Sequence, residues 1–474
     1  MIQIKICSDI PTDCSVVLLA AAEYDFGDCG LSEEDIKYVK AQIVAKSDYI
    51  ALNKNGCRFF VQMVDTANSL SKEKEKMRRE AYKLHQSIVQ QKIKSVAIVD
   101  KVGNAAFACA FAEGMALSNY QFLKYSSKSG EKQNSLSELT IVGNIAQTDI
   151  DRMNFVLESV YKTRDLVNEP ANVLTSVRLA EEFEAMAAEA GFDVQVFDKA
   201  TIEKMKMGGI LAVNRGSTEA PTFSILEWKP DNAKNKRPAV LVGKGITYDT
   251  GGHSLKTGDY MNDMKSDMAG GAAVAAVVQA VAKARLPVHV VGLVPSTDNR
   301  LSPDACSPGD IIIMYDGATV EVEDTDAEGR IILADALAYA KKYDPELVIS
   351  IATLTGSAHR AIGEQGIAAM SNASRDITDK LKNCGESVHE RIVEFPLWDE
   401  YAEELKSDVA DLKNLGGENA GMITAGKFLE HFTSYPFIHL DIAGVAFAKK
   451  ADAYRGKGGT GSGVRLLFEF LKNY

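Results

Sequence analysis

The sequence predicts an α/β protein of two domains, the larger built on a mainly parallel sheet covered by helices. Three observations predict it. The first is length, since 474 residues exceed one compact core when a typical domain holds about 100–200. The second is a set of short, β-branched-rich apolar runs at 239–242, 288–294 and 347–351, as in strands buried on both faces. The third is that helical stretches at 267–284 and 331–343 fall between those runs. Strands alternating with helices give crossover connections and a parallel sheet. Hydrophobic content of 46% and charged content of 25% exclude disordered and fibrous classes.

In chain order, residues 1–150 read as a smaller α/β domain. Apolar runs at 16–22, 59–64 and 96–99 alternate with charged helical segments. The segment 72–90 reads as a helix with a charged, solvated face, and the polar stretch 126–137 as an exposed loop. Met153, Phe155, Val156, Val160 and Leu166 recur near helical spacing, and Pro170 ends the pattern. A connecting helix is therefore expected over 151–170, leaving 171–474 as the larger domain.

No apolar run approaches the roughly 18–20 residues that cross a bilayer, and the opening MIQIKICSDIPT lacks the apolar core of a secretory signal. Seven scattered cysteines without a C-x-x-C pair suggest neither a disulfide framework nor a thiolate zinc site, so a reducing cytoplasm is expected. Residues 1–150 carry 18 basic and 18 acidic side chains, and the remainder carries 35 and 47, the whole of the net −12. That surplus disfavours attraction to nucleic-acid phosphates. It suits metal cations or ammonium-bearing ligands, or simply a solvated acidic surface.

Three segments carry candidate chemistry. VGKGITYDTGG, 242–252, follows a buried strand and holds Lys244 and Asp249, with Lys256 just beyond. MNDMKSD, 261–267, opens a helix of Ala, Gly and Val and supplies Asp267. DTDAEGR, 324–330, precedes the next helix and supplies Asp326, Glu328 and Arg330. Singly, each has an ordinary explanation. Asp267 could cap its helix, and Asp326 and Glu328 could be a turn residue and a first-turn acid. The Gly-Lys-Gly lacks the remaining residues of a phosphate-binding loop. Together they lie at strand ends of one sheet, where α/β proteins bind ligands. If 324–328 is extended, Asp326 and Glu328 point to one face. Crowded carboxylates raise one another's pKa, a conflict that divalent cations remove. Oxygen donors with one amine favour zinc, manganese, magnesium or cobalt. A lysine ligand must be neutral, so its pKa must fall from about 10.4. Two ions roughly 3.5–4 Å apart would support hydrolysis by a bridging water.

These segments resemble the signatures of the leucyl aminopeptidase family, the cytosol aminopeptidases. NEPANVLT at 168–175, ATLTG at 352–356, GGENAGMITAGKFL at 416–429 and HLDIAG at 439–444 extend the resemblance from about residue 165 to the C-terminus. The first 150 residues carry no matching motif. The resemblance implies a two-metal aminopeptidase whose ligands are Lys244, Asp249, Asp267, Asp326 and Glu328. Asp249 and Glu328 would bridge both ions, Lys244 and Asp267 would complete the tighter site, and Asp326 would belong to the exchangeable one. It makes Lys256 the electrophile at the oxyanion and gives Arg330 a bicarbonate serving as general base. It implies an apolar pocket lined by Met264, Thr353, Gly356, Ala443 and Ala446, suited to Leu- or Met-like N-terminal residues of peptides. A homo-hexamer is implied, and zinc or manganese are the expected metals, with magnesium or cobalt at the exchangeable site. A Cys-Gly-type dipeptidase, or an added non-catalytic DNA-binding role, are the alternatives. Two positions depart from the family pattern: Asp324 stands where Asn is usual, and Thr250 where Ser is usual.

Overall fold

The computed structural model describes residues 1–47, 49–54 and 57–474. Its contacts divide the chain into two compact units, Met1–Tyr161 with Lys450–Gly456, and Lys162–Lys449 with Lys457–Tyr474. The division runs through the helix Gln147–Asn168.

The first unit is built on six strands in the order Ile4–Cys7, Glu138–Val142, Ser95–Asp100, Ser15–Ala20, Cys57–Met63, Ile50–Lys54. All neighbours are parallel except the last pair, an antiparallel hairpin. Ser15–Ala20 is buried throughout, because it has parallel neighbours on both sides. The helix Leu70–Gln90 differs from expectation in one respect. Its charged run is not a solvated face: Glu73, Glu75 and Arg78 are buried. The reason is pairing, which makes burial of charge tolerable. Arg78 Nε lies 2.5 Å from Glu113 and Arg79 Nε 2.7 Å from Glu75, while the Tyr454 hydroxyl donates to Glu75 at 2.8 Å.

The second unit holds a nine-stranded sheet. Four parallel strands form its centre, in the order Phe437–Asp441, Leu347–Ala352, Ala239–Gly243, Val290–Asn299. Antiparallel strands flank them: Thr222–Trp228 beyond Val290–Asn299, and Ile367–Ser371 beyond Phe437–Asp441. The short strand Gly245–Asp249 runs parallel to the far end of Val290–Asn299. Alternate residues serve opposite faces. Val291 and Leu293 join the core with Ile331, Leu333 and Leu337 of the helix Glu328–Ala340. Gly292 instead meets Val274 and Val278 of the helix Ala269–Lys283. Both helices are buried along almost their whole length, which explains why their sequences carry no polar stripe. The sheet therefore has its helices on both faces, and its central strands all end on one edge.

Candidate active site

Lys244 occupies the joint between Ala239–Gly243 and Gly245–Asp249. Its backbone N–H donates to Ile351 and its carbonyl accepts from Gly271, so sheet and helix both fix it. Its side chain is 3% exposed, with Nζ 2.7 Å from Asp267 Oδ2 and 2.8 Å from Glu328 Oε1. Nζ also donates to the Thr353 carbonyl at 3.1 Å. Room for this lysine comes from Gly329, where a Cβ would lie 2.6 Å from Lys244 Cε and 2.7 Å from Nζ. That is the physical meaning of the glycine in DTDAEGR.

Lys256 lies on the loop beyond Gly252. Its backbone N–H donates to the Thr250 carbonyl, and two residues earlier Ser254 exchanges hydrogen bonds with Thr325. Those bonds tie the loop to the 324–328 segment. Lys256 Nζ lies 2.7 Å from Asp249 Oδ2 and 2.5 Å from Asp326 Oδ1.

Asp249, Asp326 and Glu328 offer carboxylate oxygens within 4.8 Å of one another. The convergence arises differently from expectation. The segment is not extended, because Glu328 is the first residue of a helix and Ala327 before it has φ −107 and ψ 34. A strand-to-helix turn brings the two acids together. Asp267 likewise is not the cap of the helix that follows it: that helix begins at Ala269, and its cap position is Met268. Its Oδ1 instead accepts from the Thr353 hydroxyl at 2.8 Å.

The electrostatics are those of a cation site. Burial, then the neighbouring acids Asp249 and Glu328, hold Asp326 up at about 7. Burial, followed by Asp249, raises Glu328 in the same way, and burial raises Asp267. Burial alone would lower both lysines. For Lys244 the charges of Asp267, Glu328 and Asp249 outweigh it, and for Lys256 those of Asp249, Glu328 and Asp326, so both ammonium groups are held above their usual range. Lys244 must therefore lose a firmly held proton before it could ligate a metal. Glu328 pairs with Lys244 through Oε1, while its buried Oε2 accepts no hydrogen bond among the described residues. A buried carboxylate oxygen without a hydrogen bond is costly, and a divalent ion among these oxygens would satisfy it. The donor set fits a hard or borderline cation.

Arg330 is 5% exposed. Its Nη1 donates to the Asn414 carbonyl at 2.8 Å, while its Nε has no partner among the described residues. Burial pushes it down to about 10, against the pull of Glu328, Asp324 and Asp441. Among the expected pocket residues, Met264 begins a 3-10 turn and is half-buried. Gly356 starts a short helix and is exposed, and Ala443 is half-buried. Ala446 is packed away at 2% exposure. Thr353 is occupied in holding Asp267.

Both departures from the family pattern have visible surroundings. Asp324 Oδ1 accepts the Asp326 backbone N–H at 2.9 Å, and its main chain is held by the Asn414 side chain. An asparagine oxygen could accept the same bond. The Thr250 hydroxyl donates to the Asn299 carbonyl at 2.8 Å and accepts from Gly252 N–H at 3.3 Å. Sequence reading missed Asn299, Thr325, Asn414 and Asp441. Asp441 accepts from Thr355 Oγ1 at 2.7 Å and from the backbone of Leu354 and Ala443. Its sequence signals are its place at the end of an apolar strand and within HLDIAG, 439–444, where no role was assigned to it.

The model of the cytosol aminopeptidase family catalytic domain matches residues 161–468. The chain belongs to this family. It is 44% identical over 401 residues to a probable cytosol aminopeptidase of Chlorobium limicola, covering 81% of this chain and 78% of that one. With its counterpart from Chloroherpeton thalassium it shares 49% over 324 residues, which are 68% of this chain and 63% of the relative. Among solved structures, a tomato leucine aminopeptidase aligns over 100% of this chain and 97% of its own, with TM-score 0.86 and 27% identity. The bottromycin maturation enzyme BotP, in complex with Mn, aligns over 97% and 99%, with TM-score 0.85 and 28% identity. As a family member the chain is a metallo-aminopeptidase, a hydrolase acting on peptides. Among the described residues no helix is long and apolar enough to cross a membrane.

Proposed function

We propose that this aminopeptidase uses two divalent ions to remove apolar, Leu- or Met-like N-terminal residues from peptides in the cytoplasm. The observation that carries the reading is the cluster of Asp249, Asp326 and Glu328, in which the buried Glu328 Oε2 accepts no hydrogen bond among the described residues. Those three, with Asp267 and Lys244, would hold the ions. Manganese and zinc suit the donors, and the manganese in BotP favours manganese as the first ion to try. When bound, the ions would polarise the scissile carbonyl and acidify a water.

The chain's own residues supply the rest. Lys256 carries its positive charge on a loop latched to the ligand segment, where it can donate to the oxygen that gains charge in the tetrahedral intermediate. Arg330, buried with a free Nε, is suited to hold bicarbonate as the proton acceptor. The substrate's side chain would rest against Met264, Gly356 and Ala443, with Thr353 holding Asp267 behind them and packed Ala446 limiting the depth. An apolar wall discriminates by only about 1–3 kcal/mol per methylene, so the preference should be graded. A homo-hexamer is the expected assembly, measurable by light scattering. The one dense basic run of the first unit has Arg78 and Arg79 engaged with acids, which leaves little for nucleic acid.

The test is hydrolysis of a panel of aminoacyl amides and X-Leu dipeptides with manganese or zinc added. Faster turnover of Leu and Met than of Asp and Glu supports the reading. Cleavage confined to Cys-Gly would replace it with the dipeptidase reading.

A further inference from the structure

We propose that Asn299 is a positioning residue for this site, its amide fixing one oxygen of Asp249 so that the other faces the lysine and the carboxylate cluster. The inference rests on the reading of Asp249 as a metal ligand. Asn299 is the last residue of the strand Val290–Asn299 and is 5% exposed. Its Nδ2 donates to Asp249 Oδ1 at 2.8 Å and to the Thr325 carbonyl at 3.0 Å. Asp249 Oδ1 also accepts the Gly251 N–H at 2.8 Å. One oxygen of Asp249 is thus held by two neutral donors, and Oδ2 is left to the Lys256 side at 2.7 Å. The Asn299 carbonyl in turn accepts from both the Thr250 N–H and its hydroxyl. A single residue therefore joins the strand end, the Asp249 loop and the segment that bears Asp326 and Glu328.

The residue type follows from the chemistry. A primary amide offers two donors from one nitrogen, which a hydroxyl cannot. It is neutral, whereas a carboxylate here would face Asp249 with like charge. Space is tight as well: a Cβ on Gly252, at φ +62, would lie 3.0 Å from Asn299 Oδ1 and from Thr325 Oγ1. Groups that orient metal ligands typically contribute about 10–100-fold to metal affinity or activity.

The experiment uses the full chain as Asn299→Ala, Asn299→Ser and Asp249→Asn, each loaded with Mn2+ and equilibrated against a graded chelator. Bound manganese is measured by mass spectrometry, beside the unfolding temperature of the metal-free protein. The expected result for Asn299→Ala is a roughly 10–100-fold loss of apparent Mn2+ affinity with metal-free unfolding within about 3 °C of the parent. Asn299→Ser should lie between the two, and it carries the test if the alanine variant does not fold. If Asp249→Asn retains manganese like the parent, the ligand reading itself fails. If Asp249→Asn loses manganese while the Asn299 variants hold it like the parent, the positioning role alone is overturned. A fall in metal-free stability with unchanged affinity would also overturn it, since that is the signature of a purely structural residue.

Discussion

Replacing Gly329 with alanine separates the fold from the site more cleanly than removing a charged residue. The new Cβ would lie 2.6 Å from Lys244 Cε, where ordinary contact begins at 3.4 Å, so the lysine must retreat by about 0.8 Å. The helix tolerates the change, since Gly329 lies in helical backbone and alanine is the better helix former by up to about 1 kcal/mol. Lys244 has nowhere to retreat without loss. Its Nζ is held at 2.7 Å by Asp267, 2.8 Å by Glu328 and 3.1 Å by the Thr353 carbonyl. A misplacement near 1 Å costs about 100-fold in rate, or about 2.7 kcal/mol. The assay is kcat/KM on a leucyl amide with saturating manganese, alongside bound metal and the unfolding temperature of the metal-free protein. A folded Gly329→Ala enzyme, with parental unfolding and a rate about 100-fold lower, is expected. Parental kcat/KM with full metal content would refute the claim that Lys244 must stand where it does.

Three further outcomes follow from the same geometry. Lys256→Ala should keep its metals and lose about 2–4 kcal/mol of transition-state stabilisation; near-normal turnover would remove Lys256 from the oxyanion. Asp324→Asn should leave the pH–rate profile and chelator sensitivity unchanged, because either side chain accepts the Asp326 N–H; a shifted acidic limb would show that the carboxylate acts on the site. Asp335, fully buried, is pushed by burial up to about 7 from 3.8, against backbone N–H donors at Ile210 and Tyr315. Its raised pKa stabilises the fold fully below about pH 3.8, and that stabilisation is lost as pH rises through 7. The stability difference between the parent and Asp335→Asn should thus fall from pH 4 to 7 by up to about 1.4 kcal/mol per unit; parallel curves from denaturant titration would contradict it.

The strands at 239–242 and 347–351 were legible because burial on both faces leaves a continuous apolar run. The strand beginning near Val290 was legible only in part. Its second half, Ser296-Thr297-Asp298-Asn299, is buried yet polar, and an apolar-run criterion stops at 294. That is why Asn299 went unseen: it is a strand end that serves the site, where polar residues replace the core pattern. The clustering of Asp249, Asp326 and Glu328 was readable from motif and strand-end position. The turn that delivers it was not, since residues two apart share a face only in extended backbone and here the helix already begins at Glu328. Glu73, Glu75 and Arg78 show the opposite failure. A charged helical run looks solvated in sequence, and only tertiary partners such as Glu113 and Tyr454 reveal it as buried. No local pattern encodes a partner 35 or 379 residues away.

The most direct test of the account is a titration of metal-free protein with Mn2+, following bound metal per chain and leucyl-amide hydrolysis together. The account predicts that activity is absent without metal, rises to saturation as two ions bind per chain, and that Glu328→Ala loses both binding and activity. Hydrolysis by the metal-free chain, or full activity and tight metal binding in Glu328→Ala, would contradict it.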